Sequence, residues 1–237
     1  VMAVNNEIGS IQPIQAISEL LADKPTISFH VDAVQALAKI PTEKYLTERV
    51  DFATFSGHKF HGVRGVGFVY IKSGKKITPL LTGGGQERDY RSTTENVAGI
   101  AATAKALRLS MEKLDIFTSK TGQMKAVIRQ ALLDYPDIFV FSDEEDFAPH
   151  ILTFGIKGVR GEVIVHAFED YDIFISTTSA CSSKAGKPAG TLIAMGVDKD
   201  KAQSAVRLSL DLENDMSQVE QFLTKLKLIY NQTRKVR

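Results

Sequence analysis

The chain has 237 residues, of which 43% are hydrophobic and 24% charged, so it has the composition of a globular protein with one large or two smaller domains. Its formal net charge of +1 gives no bulk attraction to nucleic acid or to a membrane surface, and no apolar run approaches the roughly 20 residues that span a bilayer. The single cysteine excludes an internal disulfide framework and favours a reducing, cytoplasmic location.

The first elements alternate between strand and helix. Val1–Val4 has the pattern of a buried strand and ends in the polar cluster Asn5-Asn6-Glu7. Because a native chain rarely opens inside a strand, we expect that sequence upstream of Val1 is missing. Apolar residues at helical spacing predict a helix over Pro13–Leu21. Ile27–Val31 is the next predicted strand, and it leads directly into Asp32.

A lysine follows the next predicted strand. Asp51–Tyr70 contains an apolar run, then Ser56-Gly57-His58-Lys59, then a glycine-punctuated turn and a second apolar run. Lys59 is therefore predicted to lie at the end of a strand, which is where ligands bind in open α/β sheets. It is a candidate Schiff-base nucleophile, which requires a depressed pKa to be a free amine at neutral pH. The alternative is a lysine that is simply solvated.

The order of strand, helix, strand, connection and strand predicts an α/β fold with a mostly parallel sheet. In such a sheet the ends of the strands bring polar residues to one edge. These residues are Asn5 and Asn6, Asp32 and Gln35, and Ser56, His58 and Lys59. For Asp32 the commoner interpretation is a helix cap, and the alternative is a functional carboxylate.

A long helix at about residues 95–114 is predicted to join two domains, residues 1–112 and residues 113–237. Before it lies Gly83-Gly84-Gly85, which either forms turns or lets backbone amides approach an anion. The elements predicted after it are helices around Met124–Leu132, Gly161–Asp170 and Val219–Ile229, and strands at Ile151–Ile156, Ile173–Ile175 and Ala205–Leu210.

Two residues of the second half are candidates for chemistry. Cys181 has Ser, Thr, Lys and Gly as neighbours, which cannot bury it, so we interpret it as an exposed thiol able to form the nucleophilic thiolate. Arg207 lies within an apolar strand and requires a partner if buried. That partner is either a structural carboxylate such as Asp211 or Glu213, or the carboxylate of a substrate. No histidines have metal-ligand spacing.

The chain resembles the cysteine desulfurases, pyridoxal-phosphate (PLP) enzymes of the class V aminotransferase family with fold type I. Seven motifs occur in the order found there: VMAVNNEIG, FHVDAVQ, FSGHK, GGGQE, RSTTENVAGI, SACSS and VRLSL. The resemblance covers essentially the whole chain and is greatest to the iron–sulfur-cluster type, which has a long loop around its cysteine. It implies part of a large PLP-binding α/β domain followed by a smaller α+β domain.

The resemblance also implies roles for individual residues. Lys59 would bind PLP covalently, and Cys181 would be the nucleophile that accepts sulfur. The residues implied to hold the cofactor are Asp32 at the pyridinium nitrogen, Gln35 and Asn6 at the phenolic oxygen, Ser56 and His58 at the phosphate, and Thr94 reaching the phosphate from the partner subunit of a homodimer. Arg207, with Asn6 nearby, would bind the substrate carboxylate.

The implied reaction converts L-cysteine to L-alanine and leaves sulfur on Cys181 as a persulfide. A sulfur-acceptor protein would then receive it, for iron–sulfur cluster assembly or tRNA thiolation, with no direct nucleic-acid or membrane partner. Three departures from the family pattern stand out. Thr93 and Asp211 replace glycines that are usual in the family, and the family's N-terminal portion, with a phosphate-binding turn and a histidine that stacks on PLP, is absent.

Rival functions come from two classes. The first is another PLP enzyme of the same fold, either kynureninase-like or selenocysteine-cleaving. The Ser/Thr-rich surroundings of Cys181 argue against the former and leave the latter open. The second is a non-catalytic interaction module, a truncated desulfurase that keeps its small domain as a docking surface. The intact Lys59, Asp32, Cys181 and Arg207 argue against long-standing loss of catalysis but leave recent truncation open.

Overall fold

The computed structural model describes residues 1–142, 145–178 and 190–235. These residues form two compact units. The first consists of Val1–Ala3 and Gln12–Leu114, and the second of Val4–Ile11 and the described residues of Asp115–Arg237. The fold is α/β, as the sequence predicts, and its sheets contain antiparallel strand pairs beside the parallel pair that the sequence leads us to expect.

The first unit contains a three-stranded sheet and two helices. Its elements are α1 (Ile14–Leu20), β1 (His30–Asp32), β2 (Phe52–Ser56), β3 (Gly67–Ile71) and α2 (Val97–Met111). The strand order is β1-β2-β3, with β1 parallel to β2 and β3 antiparallel to β2.

The predicted strand at Val1–Val4 reduces to a short parallel pairing with β1. Asp32 N donates to Val1 O, and Ala3 N donates to Asp32 O, both at 2.8 Å. In β2 burial alternates, with Ala53 and Phe55 inside, whereas β3 is exposed along most of its length.

The second unit contains a four-stranded antiparallel sheet covered by helices. Its elements are α3 (Leu114–Leu133), β4 (Ile138–Val140), β5 (Ile151–Ile156), α4 (Gly161–Glu169), β6 (Ser176–Thr177), α5 (Gly190–Ala194), α6 (Lys199–Gln203), β7 (Ala205–Ser209) and α7 (Met216–Lys235). The strand order is β4-β5-β7-β6. Aromatic side chains pack its core: Phe168 stacks on Phe222 at 4.9 Å between ring centroids, and Phe154 meets Phe222 edge-on at 6.2 Å.

Several element boundaries differ from the predictions. The helix predicted at residues 95–114 ends at Met111, and α3 begins at Leu114 and includes the helix predicted around Met124–Leu132. The predicted strand Ile173–Ile175 is wrong, because the residues that pair with β7 are Ser176 and Thr177. The predictions of strand Ile151–Ile156 and of a helix from Gly161 are confirmed.

Candidate active site

Five of the predicted site residues follow the carboxyl ends of β1 and β2. Asp32 is the last residue of β1 and Ser56 the last of β2, and the two strands run parallel. His58 and Lys59 lie in a single 3-10 turn directly after β2, and Gln35 lies in the turn after β1. Because parallel strands end at the same edge of a sheet, the first unit presents a carboxylate, an amide, a hydroxyl, an imidazole and an amine along one edge.

Asp32 lies at this edge of the sheet and also stabilises the turn that follows β1. One of its carboxylate oxygens, Oδ1, accepts a hydrogen bond of 3.0 Å from the backbone N–H of Val34 and so starts the turn that follows β1. The side chain is partly buried. A carboxylate can accept further hydrogen bonds through its other oxygen, so the turn-forming role and a functional role are compatible in Asp32.

The backbone around Lys59 is fixed by tight packing. Gly57 N donates to Val66 O, and Gly62 N donates to Gly57 O, both at 2.9 Å. Phe60 is fully buried, and the hydroxyl of Ser110 on α2 donates to its carbonyl at 3.1 Å. Lys59 itself is half-buried, and its amine makes no hydrogen bond or ion pair with the residues that the structure describes. The fold therefore holds the backbone of this lysine in a turn that is fixed by hydrogen bonds and packing.

Gly57 lies where α2 approaches the lysine turn, and a side chain there has no room. A Cβ atom at Gly57 would lie 2.9 Å from both Thr103 Cγ2 and Val66 O. We therefore expect Gly57→Ala to destabilise the protein by roughly 1–3 kcal/mol through overpacking. Thermal or denaturant unfolding measures the change.

Gly122→Ala is the matched control for this change. Gly122 lies within α3, and its nearest neighbour for a new Cβ is Pro149 Cβ at 3.8 Å, an ordinary contact. Since alanine favours helix more than glycine does, the control should be neutral or stabilising. Equal stability losses in the two variants would contradict the packing explanation.

Thr94 and the glycine loop precede α2. Thr94 is exposed, and two residues later the Asn96 side chain caps α2 by accepting a hydrogen bond of 3.0 Å from Gly99 N. Gly83 and Gly85 have φ values of 154° and 83°, which side-chain-bearing residues rarely adopt. The turn-forming interpretation of these glycines therefore accounts for their presence.

Two other predicted site residues, Asn6 and Arg207, meet within the second unit. Arg207 lies at the centre of β7, and its Nη1 donates a hydrogen bond of 2.6 Å to the backbone carbonyl of Asn6. Asp211, one of the two carboxylates considered as a structural partner, accepts a 2.6 Å hydrogen bond from Leu212 N. The structure thus gives Arg207 a backbone partner that the sequence alone did not reveal.

Sequence reasoning assigned no role to Asn5 or Glu7 beyond a polar cluster. Asn5 Oδ1 accepts hydrogen bonds from Glu7 N at 2.8 Å and Ile8 N at 2.9 Å. The carboxylate of Glu7 accepts a 3.1 Å hydrogen bond from the backbone N–H of Thr191. The available signal was an Asn-Asn-Glu run at a strand end, but it does not identify the distant partners.

The predicted nucleophile Cys181 falls in the segment 179–189, outside the described residues. Within the described ranges no group of three or more His, Cys, Asp or Glu residues is arranged to hold a metal ion. Among the same residues, no helix has the length and apolar character needed to cross a membrane.

The family model and the sequence relatives that match this chain point to the same family. The model of the aminotransferase class-V family matches residues 1–222. A NifS/IcsS protein homolog of Lactobacillus delbrueckii subsp. bulgaricus is 50% identical over 237 residues, which are 100% of this chain and 62% of that protein. A cysteine desulfurase IscS of Clostridium botulinum is 37% identical over 239 residues, covering 100% of this chain and 60% of its own length.

The solved structures agree with the sequence relatives. A NifS-like protein superposes with a TM-score of 0.87 at 36% identity, covering 97% of this chain and 60% of that one. The chain thus spans about three fifths of the length of the relatives it matches.

Proposed function

The chain belongs to the aminotransferase class-V family, and from this premise we propose that it functions as a PLP-dependent cysteine desulfurase. The substrate is L-cysteine and the products are L-alanine and a persulfide on Cys181. One observation carries the proposal: Asp32 ends β1 and Lys59 follows the end of β2, and these two strands are adjacent and parallel. An acid for the ring nitrogen and an amine for the aldehyde are the groups that PLP requires of a protein.

The chemistry of the first unit fits this cofactor. The Lys59 amine makes no ion pair or hydrogen bond within the described residues, so it can react with an aldehyde. Asp32 has an oxygen beyond the one bound to Val34 N. When bound, PLP supplies an electron sink for negative charge at the substrate Cα. The remaining residues proposed to hold it are Gln35 and Asn6 at its phenolic oxygen, Ser56 and His58 at its phosphate, and Thr94 at the phosphate from a second subunit.

The proposed roles of the protein groups follow from their chemistry. Arg207 binds the substrate carboxylate through its planar fork of N–H donors. The Lys59 amine takes the proton from the substrate Cα. The Cys181 thiolate attacks the substrate sulfur, so an S–S bond forms while the C–S bond breaks. The electron pair of the broken bond passes to carbon, which takes a proton and leaves as alanine.

We further propose a cytoplasmic homodimer that transfers the persulfide sulfur to an acceptor protein, either an iron–sulfur scaffold or a tRNA-thiolation protein. The names of the relatives, cysteine desulfurase IscS and NifS-like protein, support the desulfurase activity on which this further proposal rests. The division into a PLP-binding domain at residues 1–112 and a smaller domain at residues 113–237 belongs to the same proposal.

Borohydride trapping tests cofactor binding directly. The protein is incubated with PLP, reduced with borohydride and mapped by mass spectrometry. A pyridoxyl group on Lys59 is the expected result, because this lysine follows β2, which lies parallel to the strand that ends in Asp32. An adduct spread over many lysines would contradict the assignment.

Asp32→Asn removes a charge while retaining the acceptor that starts the turn. Its Oδ1 can still accept the hydrogen bond from Val34 N, so the fold should be preserved. Without the carboxylate the cofactor ring nitrogen loses its acid partner, and we expect kcat for alanine formation to fall by about a hundredfold or more. Steady-state assays of alanine release measure this loss.

Asp23→Asn is the control for the Asp32 variant. The Asp23 side chain is 82% exposed and pairs only with the neighbouring Lys24 among its described contacts, so the same charge change there should leave kcat unaltered. Equal rates for Asp32→Asn and wild type would argue against a functional carboxylate at position 32.

A further inference from the structure

Asn5 closes a compact turn within the second unit. Its Oδ1 accepts hydrogen bonds from Glu7 N and Ile8 N, an arrangement that shapes the backbone locally. Backbone hydrogen bonds of Asn5 close the same turn. Asn5 N donates to Ser10 O and Gly9 N donates to Asn5 O, both at 2.9 Å. The path of residues 5–10 therefore depends on the Asn5 side chain.

Two side chains of the sheet donate hydrogen bonds to two consecutive backbone carbonyl groups of this turn. Thr153 on β5 and Arg207 on β7 are directly opposite each other in the antiparallel pair. Thr153 Oγ1 donates to Glu7 O and Arg207 Nη1 donates to Asn6 O, each at 2.6 Å. The orientation of the guanidinium is thus coupled to the position of the turn.

Close packing fixes the turn against the sheet. Gly9 has φ +83°, and a Cβ there would lie 2.8 Å from Ile151 Cβ on β5, so the backbone itself rests on the strand. Ile8 is 2% exposed. These contacts leave the turn little freedom to follow Arg207 if the guanidinium rotates.

Glu7 adds a second attachment on the other side of the turn. Its Oε2 accepts the 3.1 Å hydrogen bond from Thr191 N, and Asn5 Nδ2 donates to Thr191 Oγ1 at 3.3 Å. Thr191 is the second residue of α5. The turn is therefore held by both the sheet and a helix of the same unit.

We propose that Asn5 and Glu7 are positioning residues, which hold the Asn6 carbonyl so that Arg207 presents its fork to the carboxylate of the amino-acid substrate. This role rests on the proposed function. Bidentate recognition needs a fixed guanidinium plane. Arginine carries several N–H donors, so the bond from Nη1 to Asn6 orients the group without exhausting its donors.

Asn5→Ala and Asn5→Asp test the first residue. The alanine variant loses the acceptor for Glu7 N and Ile8 N, and we expect KM for L-cysteine to rise about tenfold with kcat little changed. The aspartate variant retains the Oδ1 acceptor and loses only the longer bond from Nδ2 to Thr191, so its KM should be closer to that of wild type than that of the alanine variant. A merely structural defect would lower the active fraction, so kcat would fall while KM stayed constant.

Glu7→Ala and Glu7→Gln test the second attachment. The glutamine variant retains an Oε acceptor for Thr191 N and should behave like wild type, whereas the alanine variant should raise KM. Asn214→Ala is the matched control, since Asn214 also builds a turn in this unit, accepting a 2.9 Å hydrogen bond from Asp211 N. The KM of the Asn214→Ala variant for L-cysteine should equal that of wild type.

Two measurements separate this inference from the proposed function. Absence of alanine release by the PLP-loaded wild-type protein would overturn the proposed function. Calorimetric titration with L-alanine, which carries the same carboxylate, then judges the positioning role by itself. Weaker binding in Asn5→Ala than in Asn5→Asp supports it, and equal binding in wild type and both variants overturns it.

Discussion

Lys59→Ala is expected to lower the rate of alanine formation by about ten-thousandfold, because the change removes the residue proposed both to bind PLP covalently and to act as the base at Cα. The turn that carries Lys59 is held by Gly57, Phe60 and Gly62 through backbone contacts that do not involve the amine. The variant should therefore fold, and thermal unfolding should show stability close to that of wild type.

Lys76→Ala is the matched control for Lys59→Ala. Lys76 is an exposed lysine a few residues after β3, so its loss should leave the rate unchanged. Each variant is also trapped with PLP and borohydride. A pyridoxyl adduct that persists in Lys59→Ala at wild-type yield, together with normal turnover, would remove Lys59 from the mechanism.

Cys181→Ala is expected to abolish alanine release from cysteine while the absorption band of bound PLP persists. In the proposed mechanism the thiolate accepts the substrate sulfur, so without it the C–S bond has no nucleophile to cleave it. The chain contains a single cysteine, so any persulfide on it must form at position 181. Mass spectrometry after a single turnover should find one added sulfur atom in the wild-type chain and none in the variant.

Unchanged turnover in Cys181→Ala would contradict sulfur transfer through this residue. Cys181→Ser is the second variant, since it retains size and polarity but lacks the sulfur nucleophile. Both variants should lose alanine release equally, and PLP absorbance measured in the same samples confirms that the cofactor site is intact.

The local sequence pattern predicts a strand correctly where the same residues also pair with a neighbouring strand in the folded sheet. Ile151–Ile156 forms β5 within the predicted bounds because its apolar residues are buried on both faces. The sequence pattern failed at Ile173–Ile175. These residues have strong β-propensity, but the strand that forms consists of the polar residues Ser176 and Thr177. Those residues pair with Val206 and Arg207, and such pairing outweighs intrinsic preference.

The same contrast holds for the candidate site. Asp32, Ser56 and Lys59 could be predicted because polar residues at the ends of consecutive strands form a local signal. The contacts of Asn5 and Glu7 with Thr191 could not, because the partners are 186 and 184 residues apart in the chain. No short-range pattern encodes a hydrogen bond across that separation.

The exposed strand β3 has a consequence for how this chain behaves in solution. Phe68, Val69 and Tyr70 are 41%, 43% and 36% exposed, and successive residues face opposite sides of the sheet, so both faces of β3 are partly open to solvent even though Phe68 stacks on Phe55. As the last strand in the order β1-β2-β3, it also offers backbone N–H and C=O groups with which a second copy of the chain could pair. The exposed Arg64 and Lys76 on either side oppose such pairing by charge repulsion, which salt screens. We therefore expect the tendency of the chain to associate through β3 to rise with ionic strength.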